Sequence, residues 1–413
     1  MSSSLPVVAS SDSRDPGVAD SGRRRIDTAF QAMPVLQAIR KQFIKTQPLS
    51  GIRVVVGLGV TAESANLLVT LRDGGARVVG NDIPGRLVHE DVAAALSRDF
   101  GIEVHDPDAS SPVEGLPEIL LDAGACLVRE WLMRRSPEDR STIAATEDVA
   151  HGVPRLRALE RQGKLRFPVV DLNESWTRSI IDRRHGVGQG TMDAITSVTG
   201  TLLAGVTLVV AGYGRCGRGI AMRARGLGAL VIVTEVDPMR AAEALMDGFR
   251  VMGMGEAASL GNIICTVTGN RSVIGRDHFE KLKNGTLLVN AGNSEVEIDL
   301  ETLNRLASNR RQTRDSLEEY TMRDGRRLRV LGAGKPLGQM PSPSVADTRF
   351  GSQALVLEYI IKNQAALGPR VYGVPEGIDR GVAKYKLEVM GIQIDRPTIE
   401  QEQYLANWSE GLL

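Results

Sequence analysis

The sequence has 413 residues, 42% hydrophobic and 24% charged, with 50 lysines plus arginines against 50 aspartates plus glutamates. That length gives two or three domains with sizeable cores. The neutral balance, with no basic stripe interleaved with aromatics, argues against nucleic acid or an anionic membrane as the main partner. Three cysteines (Cys126, Cys216, Cys265) without paired spacing suggest neither a disulfide framework nor a zinc site, and no metal is expected. No apolar run reaches membrane-spanning length, and the start lacks a cationic segment followed by an apolar one, so a cytoplasmic protein is expected.

In chain order, residues 1–23 are rich in Ser, Asp, Gly and Arg without periodicity and read as a disordered tail. Ile26, Phe30, Met33, Leu36 and Ile39 then recur at helical steps until Pro48-Leu49-Ser50-Gly51. A strand over residues 52–56, a helix over 62–72 and a strand over 77–79 form a first βαβ unit. Residues 92–100 read as a helix and 119–121 as a short strand, while 136–163 is charged and expected to be helical. A strand over 167–170 leads to Gly186, Gly188 and Gly190, which read as a hinge into a helix near Thr191. Val251 and residues 263–266 and 287–290 read as further strands, 306–326 as an exposed helix or insertion, and 350–363 as a helix. The end, residues 376–413, carries Leu387, Met390, Ile392, Ile394 and Trp408 and reads as a tail that packs on a second copy of the chain.

The most informative stretch runs from Leu208 to Asp237. An apolar strand leads into Gly212-Tyr213-Gly214-Arg215-Cys216-Gly217, a helix follows, and a second apolar strand, Leu230 to Val233, ends near Glu235. In a dinucleotide fold Gly212 makes the turn, Gly214 admits the pyrophosphate and Gly217 packs helix on strand. Glu235, 18 residues after Gly217, is placed to accept from an adenosine ribose, which favours NAD. The expected fold class is α/β, with two doubly wound parallel-sheet domains and a short helical C-terminal tail.

Further motifs carry a family resemblance. GRRRIDTAFQAMPVLQAIRKQF, VVDLNESWTRSIID, VVAGYGRCGRGIA, VIVTEVDP, LVNAGNSEVEID, QALVLEYIIKN and KLEVMGIQIDRPTIEQEQYLANW stand in the order and spacing of adenosylhomocysteinases, from residue 23 onward. The resemblance implies a split substrate domain (24–185 and 345–375), an inserted Rossmann NAD domain (188–340) and an oligomerisation tail (376–413) of a homodimer or homotetramer. It also implies an adenine nucleoside, or a thioether of the S-adenosylhomocysteine type, as the small-molecule partner. Family chemistry oxidises the sugar 3′-hydroxyl with NAD, eliminates the 5′ group, adds water and reduces the ketone back, which needs several proton-moving groups.

The family's adenine-reading Thr and Glu resemble Thr61 and Glu63, and its ribose-holding acids resemble Asp148 and Asp182. The cofactor set implied is Gly212, Gly214, Arg215, Gly217, Glu235, Arg240, Thr266, Thr268 and Asn290. Departures fall on the catalytic positions. The family's histidines stand as Gly59 and Asn293, and the late one falls in Met340-Pro341-Ser342. Its aspartate is Ala123, its lysine Arg178 and its asparagine Arg183. Arginine does not serve as a base. Arg240 replaces an asparagine and would tolerate a 2′-phosphate, so NADP stays open. Leu87-Val88-His89-Glu90 replaces the homocysteine-binding segment.

Asp182, Arg178, Asp148 and Asn293 are therefore the candidate catalytic set. Each has a plainer reading. Thr61 and Glu63 suit a helix N-terminus, Arg178 and Asp182 a surface ion pair, and Arg183-Arg184-His185 either a solvated hinge or an anion holder. His151 and His185 are the histidines available to replace lost ones. Three functions follow: an NAD enzyme repurposed for sugar oxidation, elimination or dehydration, a non-catalytic nucleotide-binding regulator or scaffold, and a hydrolase with rewired acid–base residues.

Overall fold

A computed structural model describes residues 16–81, 87–105, 118–136, 138–337 and 342–407. Strands β1 (Arg53–Val56), β2 (Arg77–Asn81), β3 (Val104–His105), β4 (Glu118–Asp122), β5 (Thr142–Glu147) and β6 (Val169–Asp171) come first. A second set follows: β7 (Thr207–Ala211), β8 (Leu230–Thr234), β9 (Arg250–Val251), β10 (Ile263–Thr266), β11 (Leu287–Asn290), β12 (Ala307–Arg314), β13 (Leu317–Met322) and β14 (Arg327–Leu331). The chain then returns to the first sheet with β15 (Val371–Gly373).

The first sheet is parallel throughout in the order β15-β6-β5-β4-β1-β2-β3. The second runs β12-β13-β14-β11-β10-β7-β8-β9 and is parallel except where β13 pairs antiparallel with both neighbours. Strand order reverses between β1 and β4 in one sheet and between β7 and β10 in the other. These are the crevices where doubly wound sheets bind ligands. The central strands carry unbroken apolar runs because helices cover both faces, with the buried Arg53 of β1 paired to Glu118 of β4 at 2.6 Å. All four residues of β1, and residues 208–211 of β7, are buried.

Several elements differ from the sequence expectation. Residues 16–23 are not a tail but open the helix Pro16–Gln31, which packs on the helix Glu90–Phe100. Arg25 pairs with Asp91 at 2.8 Å across that contact. Residues 1–15 lie outside the described residues. The stretch 136–163 contains β5 ahead of the helix Val153–Arg161. Its residues, Thr142-Ile143-Ala144-Ala145-Thr146-Glu147, are small or β-branched and mostly buried, with too little apolar bulk to read as a strand.

Residues 307–322 form the β12–β13 hairpin rather than a helix. β12 is polar because it is the exposed edge of the sheet, and Arg310–Glu318 and Arg311–Glu319 pair across it at 2.6 and 2.7 Å. In the expected tail, the helix Glu376–Val389 is integrated into the body. Val382 is buried, and Asp379 accepts hydrogen bonds from Ser175, Trp176 and Thr177. Residues 390–406 stand away from the core with Ile394, Ile399 and Leu405 exposed, and Trp408 lies outside the described residues.

The glycine hinge is absent. Residues 179–186 form a π-helix continuous with the helix Val187–Thr199. The glycines permit close packing. A Cβ on Gly188 would sit 2.7 Å from the Gly219 backbone, and one on Gly219 would sit 1.8 Å from the Arg184 carbonyl oxygen. The π-helix is thereby pressed onto the helix Arg215–Gly226, which follows the glycine turn.

Candidate active site

The glycine turn is as tight as its motif requires. Gly212 takes φ +106°, and a Cβ on Gly217 would lie 2.0 Å from the Gly212 carbonyl oxygen. The helix Arg215–Gly226 begins after Gly214 with no side-chain cap, so its first N–H groups face open space. A cavity of about 550 Å³ lies on one side of this turn, lined by Gly212, Gly214, Glu235, Arg240 and Thr268 among others. Glu235 is oriented by the glycine turn and by its own loop: Oε2 accepts from Tyr213 N at 2.7 Å and Oε1 from Val236 N at 2.7 Å. Thr268 is fixed by the fully buried Glu297, which accepts from its N and Oγ1 at 2.9 and 3.1 Å. These features fit a dinucleotide: an adenosine half beside Glu235 and a pyrophosphate over the uncapped turn.

A second cavity, about 670 Å³, lies on the other side, between the two sheets. Asp148, Asn173, Arg178 and Arg349 come from the first sheet and its helices, Asp182 and Arg183 from the π-helix, and Gly214, Arg215, Arg240, Thr268 and Asn293 from the second sheet and its loops. Asp148 is fully buried beneath two guanidiniums. Arg178 donates from Nη1 to its Oδ1 at 2.8 Å and from Nη2 to its backbone carbonyl at 2.5 Å, and Arg349 closes on the other side with a second ion pair. Burial alone would raise the Asp148 pKa, but Arg178 and Arg349 outweigh it and hold the carboxyl below its ordinary range. The site holds this carboxylate ionised.

Asp182 lies 3.5 Å from Arg178 Nε, and its side chain is 13% exposed. The Arg178–Asp182 pair is thus an inner wall of the cavity, not a surface ion pair. Arg183 reaches across to Asn173, whose Oδ1 accepts from Nη2 at 2.5 Å. The same Asn173 accepts through its carbonyl from Arg215 Nη1 at 3.4 Å. Burial, then the neighbouring charges of Arg178 and Arg215, push the Arg183 pKa down. Cys216 is pushed up to about 11, first by burial, and stays a thiol.

The sequence-derived set divides clearly. Asp148, Arg178, Asp182, Asn293, Gly214, Arg215, Arg240 and Thr268 share the second cavity, with Glu235 and Gly212 in the first. Gly217 packs beneath the turn. Thr266 is wholly buried in β10 and lines neither cavity. Asn290 is also withdrawn from both cavities. It donates to the Ser294 and Gly334 carbonyls and accepts from Gly292 N, so it shapes the loop that presents Asn293. Thr61 caps the helix Ala62–Asp73 with Ser64 in a capping box, and Glu63 sits in that helix's first turn. Neither lines the described cavities, nor do His151 and His185.

Arg349, Asn173 and Glu297 were not singled out from sequence. Arg349 precedes the stretch expected to be helical, whereas the helix starts at Pro343. Asn173 lies inside the quoted VVDLNESWT motif and Glu297 inside LVNAGNSEVEID, so both were within reach of the motifs.

Comparison with known proteins decides the family. Residues 183–340 match the S-adenosyl-L-homocysteine hydrolase NAD binding domain and residues 12–110 match S-adenosyl-L-homocysteine hydrolase. An adenosylhomocysteinase of Aquifex aeolicus is 42% identical over 97% of this chain and 99% of its own length.

The chain belongs to the adenosylhomocysteinase family.

NAD is the cofactor of this family's nucleotide-binding domain here, in keeping with the turn geometry. An adenosylhomocysteinase of Thermococcus kodakarensis is 42% identical over 96% of this chain and 98% of its own length. A second kind of relative is the S-inosyl-L-homocysteine hydrolase of Methanocaldococcus jannaschii, 40% identical over 96% of this chain and 99% of its own. Among solved structures, a dipicolinate synthase from Bacillus halodurans superposes with a TM-score of 0.50 at 14% identity, over 76% of this chain and 98% of that one. That likeness speaks for the dehydrogenase-type fold alone.

Proposed function

We propose that this family member is an NAD-dependent enzyme that oxidises the sugar of a purine nucleoside or nucleoside thioether and then carries out elimination or dehydration rather than the family's usual hydrolysis. The observation that carries the proposal is the make-up of the cavity between the sheets. Around the glycine turn the NAD frame is intact, while the positions that resemble the family's proton-moving groups hold Arg178 and Asn293 instead.

Bound along Gly212–Gly217 and Glu235, NAD would supply a hydride acceptor for a carbinol carbon. Arg178 holds Asp148 and cannot take a proton. Asp182 is the carboxylate placed to accept a proton from a sugar hydroxyl, with the Arg178 charge beside it. Asn293 offers an amide, which can bind an oxygen but cannot shuttle a proton at neutral pH. A site so built supports oxidation and loss of a β-substituent better than the addition of water, which calls for a further acid–base group. In this reading Thr61 and Glu63, at the same carboxyl edge of the first sheet, contact the base once substrate is bound. Residues 390–406 pack on a second copy in a homo-oligomer, supported by the exposure of Ile394, Ile399 and Leu405.

The test is incubation of the purified protein with adenosine, inosine and their S-homocysteinyl thioethers, following absorbance at 340 nm and product masses. Cofactor reduction with a product other than the free nucleoside is expected. Absence of turnover and of cofactor reduction with every one of them would sink the proposal. Adenosine released from S-adenosylhomocysteine would replace it with ordinary hydrolysis.

A further inference from the structure

Counting charge around the inter-sheet cavity leads beyond a neutral nucleoside. Among the described lining residues five are arginines (Arg178, Arg183, Arg215, Arg240, Arg349) and two are carboxylates (Asp148, Asp182). Both carboxylates are committed: Asp148 to Arg178 and Arg349, Asp182 to Arg178. Arg240 also pairs with Asp237 just outside the cavity at 3.6 Å, and NAD brings two phosphate charges and a cationic nicotinamide ring, so together they remove two of the three surplus positive charges. Arg215 and Arg240 flank the uncapped turn and suit the pyrophosphate.

Arg183 is left over. It is half-buried on the rigidly packed π-helix, and no carboxylate pairs with it among the described residues. Its bond goes to the neutral amide of Asn173. A partly desolvated guanidinium flanked by Arg178 and Arg215, and hydrogen-bonded to an amide rather than to a carboxylate, is under-satisfied until an anion arrives. A positive charge remains in surplus with NAD in place, and a phosphate monoester would neutralise it.

We propose that the cavity takes a nucleotide, a purine nucleoside carrying a phosphate monoester, and that Arg183 is the residue that binds the phosphate. This rests on the purine-nucleoside reading above and narrows its substrate class. A zwitterionic amino-acid substituent would leave the surplus uncompensated. Arg183 therefore marks a change in what the 5′ or neighbouring sugar substituent carries, alongside the changed segment Leu87–Glu90.

The experiment is calorimetric titration of the NAD-loaded protein with adenosine, adenosine 5′-monophosphate, adenosine 3′-monophosphate, S-adenosylhomocysteine and inorganic phosphate at low and moderate salt. At least one monophosphate is expected to bind tenfold or more tightly than adenosine, by a margin that shrinks as salt rises. Inorganic phosphate should compete with it. Arg183→Gln should lower monophosphate affinity tenfold or more and adenosine affinity less than twofold, with Arg183→Lys intermediate. Equal binding of adenosine and both monophosphates overturns this inference alone. So does an Arg183→Gln variant that loses adenosine and monophosphate in equal measure, since the arginine would then be structural or devoted to NAD. Failure of every purine compound to bind overturns this inference and the proposed function together.

Discussion

At position 59 the backbone leaves no room for a side chain. A Cβ there would stand 2.9 Å from the Leu87 carbonyl oxygen, which already accepts from Val60 N. The family resemblance puts a histidine at this place, and its loss is thus built into the local pairing of Val60 with Val88. Gly59→His is expected to cost about 1–3 kcal/mol by overpacking and to leave S-adenosylhomocysteine hydrolysis unrestored. A melting curve and a thioether hydrolysis assay check both halves; a stable, hydrolytic variant would contradict the reading. Residue-level inference from sequence succeeded where a motif supplied the neighbour, as with Arg178 and Asp182 four apart on one turn. It failed for Arg349, which meets Asp148 across 201 positions of chain. No local pattern encodes such a contact.

Among the elements, the crossing of the π-helix over the helix Arg215–Gly226 matters most, because it brings Asp182 and Arg183 to the edge of the glycine turn. Gly219→Ala would place a methyl 1.8 Å from the Arg184 carbonyl. It should cost about 1–3 kcal/mol and weaken NADH binding, read by melting and by NADH fluorescence titration. Gly226→Ala, in the same helix with open space around it, is the control and should be neutral or stabilising. If both variants behaved alike, close packing would not be the reason for glycine at 219.

The helix Pro34–Thr46 has a cap supplied from far away. Its first turn has no side-chain cap of its own, and Asp347 accepts from Val35 N and Leu36 N instead. Burial pushes the Asp347 pKa up to about 6, against the N–H donors and Lys386, which lower it. The folded state thus holds a proton that the unfolded chain gives up near its ordinary value of 3.8. This contribution to stability is complete below that value and is lost as pH rises through about 6. Asp347→Asn should therefore gain on the wild type from pH 4 to pH 7.5, by up to about 3 kcal/mol. Denaturant melts of both proteins across that range measure it, and parallel curves would refute the assignment.

For the elements as a whole, apolar runs such as β1, β4, β7, β10 and β11 were readable because both sheet faces are covered. β5 and the β12–β13 hairpin were not, since small residues or edge exposure remove the hydrophobic signal. Gly186 and Gly188 read as hinge residues because sequence cannot distinguish a residue needed for freedom from one needed for thinness.

At the scale of the molecule, the two sheets meet at a cavity whose walls belong to both, so its occupant bears on the stability of the whole. NAD held at 100 times its dissociation constant should add about 2.7 kcal/mol to the native state. Protein stripped of NAD is expected to melt roughly 5 °C lower and to recover on re-addition. An unchanged transition would mean that the cofactor does not bind the native fold as described.

The outer strand β12 has one more consequence. It leaves an eight-residue sheet margin open, and Arg310, Arg311 and Arg314 lie along it. At the opposite margin β9 is two residues long. Two copies approaching margin to margin would set arginines against arginines at one end and find almost no backbone to pair with at the other. Ribbon-like growth by strand addition is thereby disfavoured. Copies that do associate would meet away from these margins, as through the exposed Ile394, Ile399 and Leu405 of the end segment, and such contacts can close into a finite assembly.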